Sequence, residues 1–131
     1  MGLSVNYIMK SVKGMRSGPI KEKSYAFAIK AVKLGYELIN KKEFILSKQL
    51  IRSGTSIGAN AEEAYGAYSK NDFHHKISIS YKEARETSYW IRLLRDTDWL
   101  ENEVAQSLLN DLEELLKLMG AALRTMRNQR N

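Results

Sequence analysis

The sequence predicts an all-α protein, an antiparallel up-down-up-down four-helix bundle, from three observations. A single proline, Pro19, lies near the start of the 131 residues, so nothing after it interrupts a helix. Apolar residues recur at alternating steps of three and four through most of the chain, the period of a helix face and not of a strand. The third observation is the stretch Arg52-Ser-Gly-Thr-Ser-Ile-Gly-Ala-Asn-Ala-Glu-Glu-Ala-Tyr-Gly-Ala-Tyr68, which reads as one helix despite Gly54, Gly58 and Gly66. Each helical glycine costs about 1 kcal/mol relative to alanine. The compensation expected is close approach of a neighbouring backbone, which a residue without Cβ permits. This is therefore read as the central, tightly packed helix.

The length suits one domain with its own core. Residues 1–20 mix Gly2, Gly14, Gly18 and Pro19 with serines in no sustained period and read as a flexible basic N-terminal arm. The bundle domain is placed at 21–127, with a tail at 128–131. The first helix is expected from Ser24, as N-cap, to Asn40 or Lys41. Its polar residues Lys30, Lys33 and Glu37 form one narrow stripe, while Phe27, Ala28, Ala31, Val32, Leu34, Gly35, Leu38 and Ile39 fill most of the remaining surface. Ser47 is the expected cap of the second helix. There Leu50, Gly54, Ile57, Ala61, Ala64 and Tyr68 follow the spacing of a buried seam, with Asn60 at its edge as a polar residue able to fix register between helices.

The third helix opens with Ser69-Lys-Asn-Asp72, a capping signal that sets Asp72 in the positive first turn. Its seam is Phe73, Ile77, Ala84, Ser88 and Ile91, with Ile79, Trp90, Leu93 and Leu94 as a second apolar set. Glu83 projects into this apolar arc. A carboxylate there must pair or take up a proton, so a hydrogen bond to Asn60, Arg52 or a tyrosine hydroxyl is expected, the alternative being a half-exposed glutamate at the helix boundary. After the turn at Asp96-Thr-Asp-Trp-Leu100 the last helix is expected over Asn102–Arg127. Val104, Leu108, Leu112, Leu115, Met119, Ala122 and Met126 form its seam, widened by Leu109, Leu116 and Leu123. The first and third helices are apolar over more than one core demands, which predicts self-association.

Charge is uneven. The formal net is +6, but residues 1–23 carry +4 and residues 124–131 carry +3, leaving −1 for the body between. Basic ends attract phosphate backbones and also serve solubility. The chain contains no cysteine, which excludes disulfides, thiolate metal sites and cysteine nucleophiles and fits a reducing compartment. No apolar run is long enough to span a bilayer. No signal peptide is evident at the N-terminus either. The expected location is the cytoplasm.

No constellation for catalysis emerges. Glu62, Glu63, Glu83 and Glu86 supply carboxylates, yet no Glu-x-x-His exists to complete a di-iron site, and the adjacent His74 and His75 point in different directions around a helix. The helical serines lack a strand-to-helix elbow and an oriented base. The Gly54 and Gly58 spacing is one of packing and not of a phosphate-cradling loop. The reading is therefore not an enzyme, with no catalytic residue, cofactor or metal. A binding face is visible instead: Lys82, Arg85, Tyr89 and Arg92 share one side of the third helix, where cations and an interleaved aromatic suit a phosphate backbone and a stacked base. Arg124 and Arg127 extend the basic set and also complement the last helix's dipole. The plainer reading of the same face is a solvated surface with local charge pairing.

The runs Ser53-Gly-Thr-Ser-Ile-Gly-Ala-Asn-Ala-Glu-Glu-Ala64, Ser69-Lys-Asn-Asp-Phe73 and Lys82-Glu-Ala-Arg-Glu-Thr-Ser-Tyr-Trp90 resemble the bacterial four helix bundle protein family. That family is also known for intervening sequences in 23S rRNA genes. The likeness spans roughly residues 20 to 125, with several motifs in order. Ala61 stands where the family usually has a bulkier aliphatic residue. The resemblance implies a small antiparallel bundle assembled as a ring of identical subunits, with a pentamer expected. It also implies kinship with accessory proteins of diversity-generating retroelements, which look like partners of reverse transcriptase and nucleic acid. No catalytic residue carries over; Gly54, Gly58, Asn60, Glu63, Glu83, Glu86 and Trp90 carry over as positions of structural or assembly importance. The function expected is a homo-oligomeric bundle binding RNA or DNA, the alternative being a protein-interaction scaffold or accessory subunit with no nucleic-acid role.

Overall fold

The computed structural model describes residues 17–130, and among these described residues lie four α-helices: α1 (Ser17–Asn40), α2 (Leu46–Ala64), α3 (Lys70–Asp96) and α4 (Asn102–Arg130). Each helix packs antiparallel on the next and α4 closes back onto α1, which gives the predicted up-down-up-down bundle. The closing contact of α1 with α4 is the loosest of the four. No helix among the described residues is long and apolar enough to cross a membrane.

Glycine placement explains the tight α1–α2 pair. A Cβ built on Gly54 would sit 2.7 Å from the Cβ of Ala31, and one on Gly58 would lie 3.3 Å from the Ser24 carbonyl oxygen. On the partner helix, a Cβ on Gly35 would collide with the Ile51 side chain. Small residues on each helix thus receive the other, so the two backbones run close and the propensity cost of the glycines is offset by contact. Gly66 has no such role, because α2 ends at Ala64 and Gly66 lies in the exposed turn beyond it.

Between α2 and α3 the contact is partly polar and fully satisfied. Thr87 donates to the Ser53 hydroxyl at 2.8 Å, and Ser80 donates to the Ile57 carbonyl at 2.7 Å. All four side chains are buried, so each bond removes a desolvation penalty and fixes the helix register.

Several expected boundaries and core positions move. Helix α1 begins at Ser17, not Ser24. Pro19 falls in the first turn, where its missing N–H costs nothing, and Ser24 is buried mid-helix with its hydroxyl bonded to the Lys21 carbonyl. Residues 17–20, assigned to a flexible arm, are therefore helical; the rest of that arm, residues 1–16, lies outside the described residues. Ser47 does not cap α2 either. The buried Glu43 takes that role, accepting from the backbone N–H groups of Ile45, Leu46 and Ser47. Burial alone would push the Glu43 carboxyl up, but these three bonds outweigh it and hold the group below its ordinary value.

Tyr68, assigned to the α2 seam, is fully exposed because it follows the helix end. On α3, Thr87 is buried where Ser88 was expected and Ser88 is half-buried, while Leu94 joins the core from the second set. On α4, Ala105 is buried and Val104 is instead exposed at an open groove between α4 and α1. The remaining α4 seam is buried as expected, and α4 runs on to Arg130 through residues read as tail. Ala61 is completely buried.

Helix ends without glycine complete the frame. Lys42 and Asp98 both adopt left-handed backbone (φ 70 and 69). Beyond each, an N–H reaches back five residues: Glu43 to the Leu38 carbonyl and Trp99 to the Leu94 carbonyl. These are Schellman-type stops built on residues that pay strain to adopt them. Ser69 caps α3 as predicted, accepting from the Asp72 N–H at 3.1 Å.

Candidate nucleic-acid interface

The charges of α3 are sorted by face. Its carboxylates Glu83 and Glu86 turn toward α2, where Arg52 bonds Glu83 at 3.4 Å and also bonds Glu86. Of the partners expected for Glu83, the structure selects Arg52. Trp90 donates its indole N–H to Glu86 at 2.9 Å, so guanidinium, carboxylate and indole form one chain between the helices. Glu63 adds a second cross-link by accepting from Lys76 at 2.7 Å. The bond holds the Lys76 ammonium above its ordinary value. Asn60 does not bridge helices: its amide donates to the carbonyl and hydroxyl of Ser56 on its own helix, a geometry that satisfies the side chain locally.

With those acids committed inward, the outer face of α3 is cationic. Lys82, Arg85, Tyr89 and Arg92 are all exposed. None of the three cations makes an ion pair with a carboxylate among the described residues. Tyr89 stands in their midst, its ring edge-on to Trp90 at 5.0 Å and beneath the Arg92 guanidinium at 6.0 Å. At the end of this face Arg95 bonds Asp96, and that bond, with Arg92 adding charge attraction, holds the Asp96 carboxyl below its ordinary value.

Arg124, on α4, comes near α3 at Tyr81. The position of a Cβ on Gly120 is 3.3 Å from the Arg124 guanidinium and 3.7 Å from the Tyr81 ring. The glycine opens a notch in which the Arg124 head lies beside Tyr81, the residue before Lys82. Arg127 is exposed nearly one turn further along α4, and no contact joins it to the set. Sequence reasoning missed the Arg124 placement, for which Gly120, four residues before Arg124 on the same helix, was the available sign. Chemically, the arrangement offers free cations at helical spacing around a stacking ring, suited to phosphate and base. Among the described residues no group of three or more acidic, histidine or cysteine side chains is placed to hold a metal ion.

Known proteins share this architecture and sequence. A family model described as "23S rRNA-intervening sequence protein" matches residues 18–121. A crystal structure from Bacteroides thetaiotaomicron VPI-5482, titled as a protein with unknown function from the S23 ribosomal protein family, is 47% identical. It covers 79% of this chain and 97% of its own, with a TM-score of 0.78. No curated protein matches the chain.

Proposed function

The chain belongs to the 23S rRNA-intervening sequence protein family, and on that premise we propose that it is a non-enzymatic, homo-oligomeric bundle that binds RNA or DNA. Contact is made through the outer face of α3, with Arg124 beside it. The observation that carries this reading is the sorting of charge on α3: Glu83 and Glu86 are neutralised inward by Arg52, while Lys82, Arg85 and Arg92 stand around Tyr89 with no ion pair among the described residues. A positive face of this kind draws phosphates even on a body whose net charge is close to zero. The cytoplasm is the compartment we assign, in keeping with a cysteine-free chain.

Fluorescence anisotropy with labelled mixed-sequence RNA and DNA, titrated over salt, tests the reading. Four phosphate contacts give a log–log slope of roughly −3 to −4. Lys82→Glu with Arg85→Glu should flatten that slope and weaken binding without changing helicity. No detectable binding at low salt would remove the nucleic-acid reading.

A second reading, a protein-interaction scaffold, is favoured by one observation. The outward side of α1 exposes Tyr25, Ile29 and Tyr36, an apolar surface with no use for phosphate. On α3, by contrast, Ile79, Trp90 and Leu93 are half-buried within the subunit, which supports α1 rather than α3 as the surface for self-association.

A further inference from the structure

Helix α1 carries two apolar seams on opposite sides. The inner one, Ile20, Phe27, Ala31, Leu34 and Leu38, packs in the core. The outer one, Tyr25, Ile29, Val32 and Tyr36, repeats the 4, 3, 4 spacing of a helix that is covered by another element. Its large members are exposed, Tyr25 by 70%, Ile29 by 43% and Tyr36 by 60%. At roughly 150–250 Å² for a whole aromatic side chain, these three residues offer on the order of 300–400 Å². A stable interface takes about 800 Å² from each partner. The seam is thus a substantial fraction of an interface and needs an apolar counterpart.

That counterpart lies on a different face. Ion pairs Lys23–Glu114 and Lys30–Asp111 join α1 to α4. Beyond them the two helices part and leave a cleft of about 480 Å³. Leu34, Val104 and Leu108 line it, Val104 being 44% exposed, and Lys33, Glu37 and Glu103 rim it. A self-facing two-fold contact would cover the seam or the cleft and leave the other bare. A head-to-tail contact covers both with one interface. It also sets protruding aromatic rings on an apolar floor and brings the tyrosine hydroxyls to a charged rim that can bond them.

We propose that the outer seam of α1 docks into the α1–α4 cleft of a second copy of this chain. The proposal rests on the homo-oligomeric reading and deepens it by naming the two surfaces. Because the chain has no cysteine, introduced thiols report on one contact at a time. Ile29→Cys combined with Ser107→Cys in one chain, oxidised mildly and run without reductant, should give a ladder of covalent oligomers. Each single variant should stay uncrosslinked. Ile29→Asp should raise the concentration for half-assembly at least about tenfold, the effect of losing one anchor side chain, with unchanged circular dichroism.

Covalent dimers from Ile29→Cys alone would overturn the proposal, since the seam would then face itself. Cross-links confined within one chain would overturn it as well. Assembly by light scattering without a ladder would refute these surfaces and leave self-association standing; a monomer at high concentration would remove both.

Discussion

Replacing Gly54 by alanine should destabilise the protein although it improves the helix. Alanine is favoured over glycine in a helix interior by about 1 kcal/mol. The new methyl, however, would sit 2.7 Å from the Ala31 Cβ, where carbon atoms prefer about 3.5–4.0 Å. Neither atom has a rotamer to escape into, so α1 and α2 must part by roughly 1 Å, a distortion of the overpacking kind that costs about 1–3 kcal/mol. Phe27 and Thr87 lie 3.6 and 3.9 Å from the same point, so the strain spreads toward the Thr87–Ser53 bond. The net expected loss is about 1–2 kcal/mol.

The reciprocal variant isolates the contact. Ala31→Gly alone loses about 1 kcal/mol of propensity and about 0.8 kcal/mol for the buried methyl. Combined, Gly54→Ala and Ala31→Gly merely move one methyl across the interface. The double variant should therefore lie near wild type, with a coupling of roughly 2 kcal/mol or more in its favour. Urea unfolding followed by far-UV circular dichroism measures all four proteins. A Gly54→Ala protein more stable than wild type, or strictly additive losses, would refute the close-packing account of these glycines.

Three further outcomes follow from local geometry. Glu43→Gln should cost about 1 kcal/mol at neutral pH, as the N-cap of α2 weakens. Because the folded carboxyl is held below its ordinary 4.5, its contribution is present above that value and lost as pH falls through the folded one. Denaturation curves from neutral to acid pH should therefore be flatter for the variant. Burial pushes the Tyr65 hydroxyl up to about 12. Its contribution is complete below pH 10 and lost as pH rises through the folded value, so Tyr65→Phe should resist alkaline unfolding better than wild type in the same assay. Lys42→Gly should raise the midpoint of thermal unfolding, since it removes a left-handed strain of about 1 kcal/mol; an unchanged or lower midpoint would show that the Lys42 side chain contributes more than its backbone costs.

Features that depend on neighbours along one helix were legible. The Ser69 cap, the grouping of Lys82, Arg85, Tyr89 and Arg92, and most of the α4 seam follow from 100° steps and short-range hydrogen bonding. Glu83 was flagged by its position in an apolar arc, and the partner set included Arg52. Misses fell where a distant or preceding residue took over a local role. Glu43 displaced Ser47 as the cap because its longer side chain reaches three N–H groups from the turn before. Lys42 and Asp98 end helices in a conformation that sequence associates with glycine.

By itself the sequence determined four helices, their antiparallel order, and a second helix whose glycines admit a close neighbour, because periodicity and residue size act within one element. Only the tertiary structure decided which acids Arg52 would neutralise, that Arg124 would lie beside Tyr81, and that α1 would keep an apolar seam uncovered while a cleft opened against α4. Those outcomes depend on the register and separation of packed helices, set by the summed contacts of many side chains, and no single stretch of chain encodes them.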